Sequence, residues 1–136
     1  MDKSQKEQQE LIFKLSMFEQ QIQQLQQQLQ AVEESVIDLK TLNFGLDELK
    51  GSKDKEVMAP LGRGIFIKTK VLSEDLTIDV GGRNFVKKTI PETKEIIEEQ
   101  VKKLGKVKKE LDEKLEEINL ELTKTIIEAQ KKESGS

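Results

Sequence analysis

Within the first forty positions one set of apolar residues keeps strict time: Leu11, Leu15, Phe18, Ile22, Leu25, Leu29, Val32, Val36 and Leu39. The steps alternate four and three, which is the narrow seam of a two-stranded coiled coil rather than the wider stripe of a globular helix. A second seam closes the chain: Ile97, Val101, Leu104, then Lys108 in an apolar slot, then Leu111, Leu115, Ile118, Leu122, Thr125 and Ala129. Helices built this way bury only a line of side chains. The composition agrees, since 35% hydrophobic and 36% charged residues leave too little apolar material for a large interior.

The residue types that are missing narrow the chemistry. The chain has no Cys, His, Trp or Tyr, hence no thiol nucleophile, no imidazole base and no ordinary zinc site. No enzyme activity, metal or cofactor is expected. A formal charge of −3 supplies no basic field for nucleic acid. The polar N-terminus lacks a signal-peptide core, and no stretch approaches the ~20 apolar residues of a membrane span, so a cytoplasmic protein without membrane contact is expected. Gly62-x-Gly64 and Gly81-Gly82 read as turn glycines, because neither continues into a phosphate-loop ending. The Lys102 to Lys109 run reads as charge on a solvated coil face.

The expected layout is a coiled-coil helix over 1–50, a double β-hairpin over 51–91, a returning helix over 92–131 and a flexible tail over 132–136. After Leu39 the rhythm is expected to slip: Asn43 stands where the next seam residue belongs, and Leu42, Leu46 and Leu49 take over. Gly51-Ser52 ends the helix. Val57 to Leu61 and Ile65 to Leu72 form one hairpin around Gly62-Arg63-Gly64. The strand carrying Leu76, Ile78 and Val80 pairs with Phe85 to Ile90 around Gly81-Gly82-Arg83-Asn84. Pro91 opens the second helix. Four short strands cannot close a core. Ile65, Phe66, Ile67, Val71, Ile78, Val80, Phe85 and Val86 are therefore expected to pair with strands of other chains. The fold class is α+β: a long antiparallel two-helix coiled coil with two β-hairpins inserted between the helices.

If Leu49 lies level with Glu92, Leu11 lies level with about Gln130, and both chain ends build one tip. Beside the seam residues Leu11, Leu15 and Phe18 stand Ile12, Phe13 and Met17. Beside Ile118, Leu122 and Thr125 stand Leu120, Ile126 and Ile127. From Glu19 to Gln30 every off-seam position is polar. The surplus apolar side chains either mark a contact surface or flank the coil and pack against a third helix; the seam alone leaves both readings open.

The insert and its flanking helices together resemble the prefoldin family, specifically its alpha type. Ala59-Pro60-Leu61-Gly62-Arg63-Gly64-Ile65-Phe66-Ile67-Lys68 looks like the family's first hairpin, and Ile78-Asp79-Val80-Gly81-Gly82-Arg83-Asn84-Phe85-Val86-Lys87-Lys88-Thr89 like its second. The beta type has a single hairpin. The family often has Gly-Tyr where this chain has Asn84-Phe85, a departure that bears on the second turn.

The resemblance implies an ATP-independent chaperone. Its alpha-type and beta-type subunits assemble through the hairpins into a hetero-hexamer, hold unfolded client proteins at the coiled-coil tips and deliver them to a group II chaperonin. It also favours a client-binding role for Leu11, Ile12, Phe13, Leu15, Met17, Phe18, Leu122, Ile126 and Ile127. The alternative is a structural coiled-coil adaptor that binds nothing unfolded.

Overall fold

The computed structural model describes residues 2–134. Helix α1 spans Lys3–Leu49, strands β1 to β4 span Glu56–Gly62, Ile65–Lys70, Leu76–Asp79 and Phe85–Lys88, and helix α2 spans Ile90–Ser134. The α+β class and the order of elements are as expected. The chain divides into two compact units: the segments up to Ser35 and from Leu104 form one, and Val36–Lys103 forms the other.

Both helices are fixed at their ends by local chemistry. Asp2 caps α1, its Oδ1 accepting from the Gln5 N–H at 2.9 Å. At the other end Gly51 takes a left-handed φ of 74°, the Ser52 N–H and hydroxyl both donate to the Leu49 carbonyl, and the Gly51 N–H donates to Glu74 Oε1 at 2.8 Å. Helix α2 starts with a capping box. Thr89 Oγ1 accepts from the Glu92 N–H, while Glu92 Oε1 accepts from the Thr89 N–H, each at 3.2 Å.

Each unit shows the two helices meeting antiparallel in the expected register. In the terminal unit Phe18 and Leu111 are buried, and Leu11, Leu15, Ile22, Leu25, Leu29 and Val32 are half-buried, as are Leu115, Ile118, Leu122, Thr125 and Ala129. Lys108 keeps its slot by reaching out to Glu33 at 3.8 Å, an exposed pair that contributes little. In the Val36–Lys103 unit the core is Leu46, Ile90 and Ile97, against which Leu39, Leu49, Leu76 and Val101 pack. Asp47 pairs there with Lys94 and, at 3.3 Å, with Lys50.

The insert forms two separate two-stranded antiparallel sheets, β1 with β2 and β3 with β4. Gly62 pairs with Ile65 around Arg63-Gly64. Both turn residues have positive φ, 51° and 77°, the condition for a turn whose twist matches the strands. In the second hairpin Asp79 pairs with Phe85, and the turn is closed by Val80 N–H to the Asn84 carbonyl at 2.9 Å. The positive φ values of this turn fall on Gly81, Gly82 and Arg83. Asn84 is not among them, so no glycine is needed there. Neither sheet has a third strand among the described residues, which leaves edge backbone groups free to pair.

Four expectations need correcting. The seam slips later than expected: Asn43 holds its place, half-buried, with Leu46 buried behind it, and Leu42 stays exposed, but Leu49 rather than Lys50 packs in the core beyond Leu46. Strict heptad spacing outweighs the polarity of one side chain, and Asn43 Oδ1 is left buried without a partner. Second, Ile90 belongs to α2 and to its core rather than to a fourth strand, because the Thr89–Glu92 box starts the helix before Pro91. Third, β2 and β3 stop at Lys70 and Asp79, short of Leu72 and Val80. Fourth, α2 continues through residues 132–134 of the expected tail; residues 135–136 lie outside the described residues.

The unpaired Asn43 carbonyl predicts that Asn43→Leu stabilises the protein by about 1–3 kcal/mol, read as a higher urea midpoint with an unchanged slope. A lower midpoint would show that the amide is paired. Acid sensitivity follows from two carboxylates. The Asp47 carboxyl is held below its ordinary range by the Lys94 and Lys50 ammonium groups, and the Glu92 carboxyl by the Thr89 N–H and hydroxyl. Both folded values are depressed, so their stabilisation is complete above the ordinary carboxylate range and is lost as pH falls through the depressed values. Asp47→Asn with Glu92→Gln should flatten the fall in melting temperature below about pH 4. Parallel wild-type and variant curves would contradict the assignment.

Candidate protein-binding surfaces

Once the seam is satisfied, each helix must put its remaining residues into water, and in the terminal unit several of these are large and apolar. Helix α1 exposes Ile12 at 67%, Phe13 at 69% and Met17. Helix α2 exposes Leu120 at 64%, Ile126 and Ile127. The two chain ends lie side by side: Ser4, Leu11 and Lys14 of α1 line one groove of about 460 Å³ with Thr125, Ala129 and Lys132 of α2. Small α2 seam residues, Thr125 and Ala129, oppose Leu11 there, so the last turns of the coil are thinly filled.

The nine residues expected at the tip therefore separate by position. Ile12, Phe13, Met17, Ile126 and Ile127 are exposed, whereas Leu11, Leu15 and Leu122 are half-buried in the seam. Phe18 is only 8% exposed. It holds the coil together, with Lys14 Nζ 6.0 Å from its ring centre, and presents no contact surface. Leu120 is the addition: it stands outside the seam, and its exposure rivals that of Phe13.

In the Val36–Lys103 unit, the hairpins expose Ile65, Phe66, Ile67, Val80, Phe85 and Val86, together with Met58, Leu61 and Leu72. Val71 and Ile78 are half-buried. A hairpin of this size that leaves side chains on both faces uncovered is marginal alone, and its apolar residues and free edges are a surface for other strands. Ile37 and Phe44 on α1 are also exposed, at 62% and 68%. They stand one heptad apart, each immediately after a seam position, a spacing that counting the heptad onward from Leu39 would have found.

Among the described residues no group of His, Cys, Asp or Glu is arranged to hold a metal ion, and no helix is long and apolar enough to cross a membrane. What the surfaces offer is apolar side chains and strand edges, the chemistry of protein–protein contact.

A family model described as Prefoldin subunit matches residues 18–134. The chain belongs to the prefoldin family. Curated relatives place it with the alpha type: it is 28% identical over 89 residues to prefoldin subunit alpha of Methanosphaera stadtmanae, covering 65% of this chain and 64% of that one. It is 31% identical over 96 residues to prefoldin subunit alpha of Methanobrevibacter smithii, covering 70% and 66%. The matches thus span just under two-thirds of the length of these two relatives. A chain of a filamentous PFD from Methanocaldococcus jannaschii, solved by cryo-EM, has the same fold: TM-score 0.75, 21% identity, 85% of this chain and 97% of that one. The exposed α1 residues Ile12, Phe13 and Met17 precede the span that matches the prefoldin family model, so their role has to be argued from their own chemistry.

Proposed function

We propose that this chain is a subunit of an ATP-independent cytoplasmic chaperone, which joins beta-type prefoldin subunits in a hetero-hexamer through its hairpins, captures unfolded proteins at its terminal unit and passes them to a group II chaperonin. The observation that carries the proposal is the exposed apolar set on the terminal unit: Ile12, Phe13, Met17, Leu120, Ile126 and Ile127. Each is worth ~1.5–3 kcal/mol when fully covered, so a client segment touching two or three is held weakly at any single tip. Several tips in one assembly convert weak contacts into firm retention through effective concentration. Met17 adds an unbranched, polarisable side chain that adapts to varied partners.

Assembly is supported by the open strand edges and by the exposed Ile65, Phe66, Ile67, Val80, Phe85 and Val86. No nucleotide is required, because a chaperonin that competes for the same client segments can draw the client away. The prefoldin family is a chaperone family rather than an enzyme family, consistent with surfaces that offer contact and no reacting group.

Combining Ile12→Ser, Phe13→Ser, Ile126→Ser and Ile127→Ser touches no buried side chain. This variant should form the same oligomer with a beta-type subunit, as read by native mass spectrometry, and should lose its protection of a chemically unfolded protein against aggregation in a light-scattering assay. Full protection by the variant would overturn the tip assignment. A wild-type chain that forms only a dimer or tetramer and delays no aggregation would favour a structural adaptor instead.

A further inference from the structure

In a heptad the positions farthest from the seam are the two residues inside each three-residue step and the middle one of each four-residue step. On α2, a single helix through this run, the outward positions between Val101 and Ile118 are Lys102, Lys103, Lys106 and Lys109, then Glu110, Glu113, Glu116 and Glu117. All of them are exposed. One half of this face is wholly basic and the other half wholly acidic.

Segregation of this kind works against a lone helix. Like charges three or four residues apart repel, and Lys106 stands at that spacing from Lys102, Lys103 and Lys109, as Glu113 does from Glu110, Glu116 and Glu117. Within the set, opposite signs come within a turn only at the junction. There Lys106 precedes Glu110 and Lys109 precedes Glu113, the less favourable order. Neither pair closes, and among the described residues none of the set forms an ion pair within the chain. A face that only meets water gains from a Glu followed four residues on by a Lys; this face forgoes that gain.

A second copy supplies what the chain withholds. Turned end for end about a point between Lys109 and Glu110, it sets opposite charges level along the whole run. Lys109 meets the partner's Glu110, Lys106 the partner's Glu113, Lys103 the partner's Glu116 and Lys102 the partner's Glu117. The two-fold axis repeats each pair, as a self-complementary interface requires. We infer that the outward face of α2 from Lys102 to Glu117 is a docking surface for the same face of a second copy, run antiparallel and held by charge. The contact is about 22 Å long, and it ends where Glu99 falls level with the partner's Leu120. Each exposed pair is weak and screened by salt, so the contact is reversible. Parallel copies set lysine level with lysine and glutamate with glutamate. On the assembly reading above, subunits joined through their hairpins with α2 running the same way repel along this face, and the antiparallel contact links separate assemblies. Several helices meeting at once strengthen a contact that is weak singly.

Crosslinking between distinguishable copies tests the contact. Full-length chain is prepared in isotopically heavy and light forms, mixed at low salt and treated with a carbodiimide, which joins a Lys amine to a Glu carboxylate only where the two touch. Heavy–light links between Lys106 and Glu113 and between Lys102 and Glu117 are expected, and they should vanish in about 0.5 M NaCl, where the screening length is roughly 4 Å. Charge reversal gives the second arm, read as the salt-labile step of association in sedimentation. Lys102→Glu with Lys106→Glu, or Glu113→Lys with Glu117→Lys, should each weaken that step about thirtyfold or more. An equimolar mixture of the two variants should restore it, and so should all four changes in one chain, which also shows that the altered helices fold. Absence of heavy–light links, or a mixture that associates no better than its components, would overturn the inference. Self-association unchanged by either reversal, as contact through the hairpins alone predicts, would overturn it too and leave the proposed function untouched.

Discussion

The apolar seam between α1 and α2 is the constraint from which the other features follow. A line of side chains at steps of four and three is all that either helix can bury against the other. Once Phe18, Leu46, Ile97 and Leu111 are in it, everything off the line is committed to water or to another molecule. The antiparallel register places Asp47 against Lys94 in one unit and Glu33 against Lys108 in the other. The same register sets Leu11 beside Thr125 and Ala129. The tip is thus made of both chain ends, so residues over a hundred positions apart in sequence share one surface.

The proposed capture of unfolded proteins needs surfaces left unsatisfied without making the molecule unstable. The chain meets that need by division of labour within each helix. Seam residues supply cohesion, and Ile12, Phe13, Ile126 and Ile127 stand outside the seam, so covering or uncovering them leaves the coil unchanged. The hairpins follow the same logic in backbone terms. Each is complete in its turn geometry, with positive φ supplied at Arg63-Gly64 and at Gly81-Gly82-Arg83, and each leaves its outer strand edges open.

Most of this architecture was legible in the sequence because the signals are periodic or local. The seam from Leu11 to Leu39, the register from Leu49 and Glu92, and the two hairpins from their glycines all rest on spacing that tertiary context seldom overrides. The misreadings came where a local rule competed with a longer one. Asn43 looked like a break because it is polar, yet the heptad on either side held it in place. Ile90 looked like a strand end because Pro91 follows it, but Thr89 and Glu92 already formed a capping box. Phe18 stands in the expected tip set although the spacing already puts it in the seam, and that seam position buries it. Exposure is a property of position on the wheel, which residue type alone does not reveal.

The central claim is that the two ends of the chain pair, so that one surface carries the exposed apolar residues of both helices. The protein contains no cysteine, so spin labels on Gln9→Cys and Gln130→Cys report that distance by double electron–electron resonance without background. With helices 8–10 Å apart, a narrow distribution below about 25 Å is predicted. A distribution centred near the length of an extended helix, about 60–70 Å, would contradict it.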